Sequence, residues 1–195
     1  LDSSALSQGS HSKSLADHYL QQWQAKYPDG AIVQSDLSKE QPDHISEAMI
    51  QAMYTPEDNR SEQQLALLTD SDAYISTLKS ADTVLFSVPM YNFTIPSTLK
   101  AYIDHILRVG ETFQYGDQGP EGLLNGKKVI LIVATGGDYT SAPYDAMDFV
   151  VPYLKTILSF IGLTDVSVVQ APNMARTDLQ ESMLANAKNE LDQLV

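Results

Sequence analysis

Asp82-Thr-Val-Leu-Phe-Ser-Val-Pro-Met-Tyr-Asn-Phe-Thr-Ile-Pro-Ser-Thr-Leu-Lys-Ala-Tyr102 contains a strand, a loop and the start of a helix in immediate succession. Residues 82–88 are short, apolar and rich in β-formers, as expected for a strand covered on both faces of a parallel sheet. Apolar residues then recur at helical spacing from Leu99 to Leu107, and Pro96 suits the first turn of that helix. The loop between them is expected at the carboxyl end of a parallel strand, where open α/β sheets bind ligands. It consists of Pro89, Met90, Tyr91, Asn92 and Phe93, whose amides and aromatic rings favour a planar heteroaromatic ligand.

The same alternation of strands and helices continues on both sides of this stretch. Strands are expected at 31–33, 128–134 and 166–169, and helices at 12–27, 65–78, 97–108, 147–161 and 179–194. This order predicts an α/β fold with a doubly wound parallel sheet and helices on both faces. With 195 residues, we expect one domain, residues 1–195. Leu1-Asp2 is expected to end the first, central strand, whose preceding apolar residues would lie upstream, so that this strand is truncated at the N-terminus.

Composition excludes several classes of function. The formal net charge of −13 argues against nucleic-acid binding, and no apolar run approaches the ~20 residues needed to span a membrane. The absence of cysteine excludes disulfides, a thiolate metal site and a cysteine nucleophile, and it favours a cytoplasmic location. The four histidines lack metal-ligand spacing, so no metal is expected. No Gly-x-Gly-x-x-Gly, Walker A or Gly-x-Ser-x-Gly pattern occurs. The sequence therefore supports neither a separate Rossmann-type nucleotide-binding site nor a serine hydrolase.

Two further loops have ligand-binding character. The segment Ser3-Ser-Ala-Leu-Ser-Gln-Gly-Ser-His-Ser12 brings hydroxyl groups to the start of a helix, which suits a phosphate dianion. A serine-rich helix cap explains the same residues, and composition alone favours that reading. In Ala134-Thr-Gly-Gly137, the paired glycines allow the backbone to approach a flat ligand.

Together these blocks resemble the FMN-dependent NADH:quinone oxidoreductases, also called FMN-dependent azoreductases, which have a flavodoxin-like fold with a five-stranded sheet. The resemblance extends to Val109–Tyr115, Gly119–Lys128 and the Phe160-Ile-Gly162 block. It implies noncovalent FMN, with phosphate contacts from Ser4, Ser10, His11 and Ser12. It also implies ring contacts from residues 89–93, including a hydrogen bond from Asn92, and from Ala134, Thr135, Gly136 and Gly137. The family commonly has glutamine where this chain has His11, and serine and arginine where it has Ala134 and Thr135.

The resemblance also implies an activity. NADH or NADPH would reduce the flavin, and a quinone or azo compound would then be reduced in a two-electron ping-pong reaction, with no dedicated catalytic side chain. A homodimer is implied, in which Phe113, Tyr115 and Phe160 line the substrate cleft or the dimer contact; ordinary core packing explains Phe160 equally well. Two other functions remain open: a flavodoxin-type single-electron carrier, and a flavin-free regulatory or scaffold protein on the same fold.

Overall fold

The computed structural model describes residues 1–195 and has six α-helices and five strands. The helices are α1 (His11–Lys26), α2 (Glu47–Tyr54), α3 (Glu62–Ser80), α4 (Ser97–Ile106), α5 (Val151–Phe160) and α6 (Thr177–Asp192). The strands are β1 (Thr83–Pro89), β2 (Phe113–Gly116), β3 (Gly119–Gly122), β4 (Lys128–Ala134) and β5 (Asp165–Ala171). Short 3₁₀ turns occupy Glu57–Asn59 and Asp145–Met147.

The main sheet is parallel and has three strands in the order β1-β4-β5, where five were expected. Asp2 forms isolated parallel bridges to Ser87 on one side and to Asp36 on the other, so residues 1–3 lie between β1 and the segment around Asp36. These single bridges extend the sheet without adding strands. The prediction of a strand at 31–33 is wrong. No strand pairs with that segment, and Val33 is 70% exposed.

Helices cover both faces of this sheet, as the alternation of elements predicted. The side chains of β4 alternate between two buried clusters, so a continuous apolar run supplies two cores. The larger core lies against α3, α4 and α5 and includes Phe86, Leu99, Ile103, Leu131 and Leu154. The smaller core lies against α1 and α6 and includes Leu15, Tyr19, Ile132, Ala187 and Leu191.

The helix boundaries follow local signals closely. Helix α3 starts with a capping box formed by Ser61 and Gln64, and it runs unbroken to Ser80. Helix α5 has Pro152 in its first turn, where a missing N–H costs little. Two elements are absent from the strands and helices expected from the sequence: α2, and the antiparallel hairpin of β2 and β3. No helix is both long and apolar enough to cross a bilayer.

Candidate functional site

Three loops meet at the carboxyl edge of the main sheet. We call residues 3–12 the first loop, residues 89–94 the second loop and residues 134–137 the third loop. The amide of Ser3 donates to the carbonyl of Ser87 at 3.1 Å, at the end of β1. The amide of Ala5 donates to the hydroxyl of Tyr91 at 3.2 Å, which joins the first loop to the second. The amide of Met90 donates to the carbonyl of Ala134 at 2.9 Å, which joins the second loop to the third.

The first loop ends at the N-terminus of α1. Ser10 is the N-cap, and its hydroxyl accepts from the amide of Lys13 at 3.3 Å, so the cap interpretation is correct for this residue. Ser4 and Ser12 are also buried, with 1% and 0% exposure. The first turn of α1 contains no acidic residue. Because the first amides of a helix lack intrahelical acceptors and carry positive partial charge, this end of the loop suits an anion.

Lys13 is the lysine or arginine nearest in sequence to the first loop, and carboxylates neutralise its charge. The ammonium of Lys13 lies 2.8 Å from Asp2 Oδ2 and 2.9 Å from Asp36 Oδ2. Hydrogen bonds to these two carboxylates raise the pKa of Lys13. The pKa of Asp36 is lowered, first by a hydrogen bond from Ser38 and further by those from Lys13 and Lys39. Besides the ring of His11, the donors left for an anion at the first loop are therefore neutral hydroxyl and amide groups.

The second loop is a tight turn with an unusual backbone. Tyr91 and Thr94 exchange two amide–carbonyl hydrogen bonds of 2.9 and 3.1 Å, and the two residues between them are left-handed, with φ of 49° at Asn92 and 70° at Phe93. For a residue with a Cβ this conformation costs about 1 kcal/mol or more. The turn holds Asn92 exposed and leaves the Phe93 ring 40% exposed. Such strain at an exposed loop is typical of binding sites.

The third loop is held rigidly from within the protein. The amide of Thr135 donates to Ala171, its carbonyl accepts from Met174, and its hydroxyl donates to Gly137 at 2.8 Å. All three polar groups of Thr135 are thus engaged, and the side chain is only 5% exposed. Gly136 is different: a Cβ added there would meet only the Ala175 Cβ, at 3.7 Å. The protein's own packing does not require glycine at this position, which leaves room for a ligand beside its backbone.

Phe113, Tyr115 and Phe160 come together next to the β2–β3 hairpin. The ring of Phe113 lies 4.7 Å from that of Phe160 and 5.7 Å from that of Tyr115, measured between centroids. Phe160 packs against the larger core, which supports the packing interpretation for this residue. Tyr115 is 73% exposed, so its ring is free to contact a substrate or another subunit.

Sequence reasoning overlooked the segment that follows the third loop. The Tyr139 ring meets that of Phe93 edge-on at 5.9 Å, and the amide of Phe149 donates to the carbonyl of Phe93 at 3.0 Å. Hydrogen bonds from the side chain and backbone of Thr140 lower the pKa of Asp138 and order the start of this segment. The sequence feature that indicates this segment is its three aromatic residues, Tyr139, Tyr144 and Phe149.

Comparison with known proteins gives consistent results. Residues 1–195 match the family model described as the flavodoxin-like fold. An FMN-dependent NADH:quinone oxidoreductase of Hydrogenovibrio crunogenus is 60% identical over 175 residues, which cover 90% of this chain and 87% of that protein. One from Azotobacter vinelandii is 40% identical over 195 residues, covering 100% of this chain and 96% of that protein.

Solved structures with similar folds include azoreductases. Azoreductase AzrA superimposes with a TM-score of 0.91 at 27% identity, covering 99% of this chain and 95% of that one. The FMN-dependent NADH-azoreductase of Bacillus anthracis str. Ames Ancestor, solved in complex with FMN, has a TM-score of 0.85 at 28% identity, covering 94% of this chain and 89% of that one.

Proposed function

Because this chain belongs to the family of FMN-dependent NADH:quinone oxidoreductases with the flavodoxin-like fold, we propose that it transfers two electrons from NADH or NADPH to a quinone or an azo compound. The observation that supports this most directly is the junction of three loops at the carboxyl edge of the sheet. Each loop contributes a different kind of contact, and hydrogen bonds hold the three together. An elongated ligand with an anionic end and a flat ring suits such a junction.

The first loop fits the phosphate of FMN. Buried hydroxyls of Ser4, Ser10 and Ser12 and the first amides of α1 are neutral donors at the positive end of a helix. No carboxylate of the first turn opposes a phosphate dianion there. His11, the first residue of α1, supplies a further ring nitrogen.

The second and third loops fit the ring of the cofactor. Asn92 is exposed and can reach a heteroaromatic edge with its amide, while the Phe93 ring offers an apolar face. Gly136 allows close approach of the backbone, and Ala134 and Thr135 hold the third loop in place. Pro89 and Met90 set the start of the turn.

Bound at these three loops, FMN would supply the redox chemistry of the proposed ping-pong reaction, in which a hydride comes from the nicotinamide and two electrons go to the acceptor. The protein's residues bind the cofactor and orient it. Tyr91 links the first two loops through its hydroxyl, and the segment containing Tyr139 and Phe149 walls the second loop with aromatic surface. No nucleophile or acid–base pair is required from the chain.

The proposal includes a homodimer formed by single-domain subunits in the cytoplasm. The exposed ring of Tyr115, beside Phe113 and Phe160, supports a role at the cleft or at the contact between subunits.

The test begins with titration of FMN into the cofactor-free protein. Ser4→Ala and Ser12→Ala should weaken FMN binding and leave binding of riboflavin, which lacks the phosphate, unchanged; Ser14→Ala, at an exposed position of α1, is the matched control. The loaded protein is then mixed anaerobically with NADH and afterwards with benzoquinone while the absorbance of oxidised flavin is followed. Bleaching and quinone-driven recovery are expected. Flavin that stays oxidised with either nicotinamide would contradict the reductase and favour an electron carrier.

A further inference from the structure

The side-chain amide of Gln180 lies between two loops that are far apart in sequence. Its nitrogen, Nε2, is 2.9 Å from the carbonyl oxygen of Met174 and 3.2 Å from Nε2 of His11. Gln180 is in the first turn of α6, while His11 is the first residue of α1. The two helix N-termini are therefore connected through one primary amide.

The orientation of this amide is set by Met174. A primary amide nitrogen has two hydrogens and no acceptor capacity, and the amide oxygen only accepts. If the Gln180 amide were flipped, its oxygen would face the carbonyl oxygen of Met174, which places two acceptors together. The carbonyl of Met174 is itself fixed, because the amide of the same residue donates to Thr135 at 2.9 Å and the side chain is buried.

This orientation decides which imidazole nitrogen of His11 carries the proton. One hydrogen of the Gln180 amide goes to Met174, and the other points at Nε2 of His11, which must then be the acceptor. In a neutral imidazole one nitrogen accepts and the other donates, so the hydrogen resides on Nδ1. The Nδ1 atom has no hydrogen-bond partner within the chain and is not enclosed in the interior.

We infer that Gln180 is a positioning residue that holds His11 as the Nδ1–H tautomer, so that His11 presents a donor at the N-terminus of α1. The tautomer follows from contacts within the chain; its use for the FMN phosphate rests on the proposed function. In the opposite tautomer Nδ1 would only accept a hydrogen bond, so it could not donate to phosphate oxygens, which are themselves acceptors. Because the amide of Met174 donates a hydrogen bond to the carbonyl of Thr135, the Gln180 amide connects the first loop to the third loop through hydrogen bonds.

The tautomer is tested by long-range proton–nitrogen NMR of histidine-labelled, FMN-free protein, which separates Nδ1–H from Nε2–H. The His11 signal is assigned by its loss in His11→Gln. The Nδ1–H pattern is expected in the wild type. It should be lost in Gln180→Met, and in Gln180→Glu the hydrogen should move to Nε2, because a carboxylate accepts. An Nε2–H pattern in the wild type, or no change in either variant, would overturn the inference.

Ligand binding gives a second readout. Gln180→Met should weaken FMN by about tenfold, on the order of one hydrogen bond to a charged group, without changing riboflavin affinity. Gln193→Met, at an exposed position after α6, is the matched control. Equal losses for FMN and riboflavin would indicate a merely structural role and refute the positioning role. If no variant and no wild type bound FMN, the proposed function would fail while the NMR result still decided the tautomer.

Discussion

Replacing Gly136 by alanine should separate ligand binding from folding. The added Cβ would meet only the Ala175 Cβ, at an ordinary van der Waals distance of 3.7 Å, and the φ angle of Gly136 lies outside the left-handed region. The folded chain therefore accepts alanine without strain. Because alanine has less conformational freedom than glycine in the unfolded chain, we expect the free energy of unfolding to rise by about 0.4–1 kcal/mol.

The same methyl group should weaken the binding of FMN. If the ring lies against the backbone of the third loop, it has to move away from the new Cβ or force the loop to shift. Introducing a methyl into a close-packed contact costs about 1–3 kcal/mol, which corresponds to an increase of about 5- to 150-fold in the dissociation constant.

Two measurements on each protein suffice: urea unfolding of the FMN-free form, and titration with FMN. Gly122→Ala is the control with the opposite outcome, because a Cβ at Gly122 would overlap backbone atoms of Ile161 and Gly162. That variant should lose about 3 kcal/mol of stability through overpacking. Wild-type affinity for FMN in a stable Gly136→Ala protein would refute the placement of the ring beside this loop.

Four other outcomes are expected. Leu99→Ala, at a fully buried position of α4, should lower the free energy of unfolding by about 2–5 kcal/mol, measured by urea unfolding; a loss within error of zero would contradict the assigned core. Asp36→Asn should have a lower free energy of unfolding than the wild type at neutral pH, because the pKa of Asp36 is lower in the folded chain than its unfolded value of about 3.9. This difference in stability should vanish as the pH falls below about 4 toward the pKa of the folded chain; a difference that persists in acid would contradict the ion pairs of Asp36. Thr135→Val should lose the hydrogen bond to Gly137 and about 1 kcal/mol of stability, together with faster amide exchange in the third loop; unchanged exchange would show that the hydroxyl does not order it. Light scattering should give twice the chain mass of 21.4 kDa, and the monomer mass at micromolar concentration would end the homodimer proposal.

Local patterns predicted the parts of the fold that depend on neighbours in sequence. The apolar run of β4 indicated a strand covered on both faces, and its side chains do alternate between the two cores. The strand, loop and helix from Asp82 to Tyr102 were predicted in order, and so was the place of the loop at the carboxyl edge. Periodicity suffices here because a buried face imposes its repeat on the residues that form it.

Other elements required partners that periodicity does not identify. The helix α2 is short, and its buried residues Met49 and Ala52 pack against Leu68 of α3, so the contact rather than a long repeat supports it. The segment 31–33 has the composition of a strand but no neighbour, and a strand requires a partner for its hydrogen bonds.

The candidate site likewise has some features that the local sequence indicates and others that depend on tertiary contacts. Residue types in sequence indicated three ligand-binding loops, because serines before a helix, aromatics after a strand and paired glycines each have a local chemical meaning. Sequence could not reveal that Gly122 packs on the backbone at Gly162, that the backbone of Thr135 forms hydrogen bonds with Ala171 and Met174, or that Gln180 reaches His11 across 169 positions. These are contacts between residues whose separation along the chain says nothing about their distance in space. They exist only once the two cores have closed around the sheet, which is why tertiary packing had to specify them.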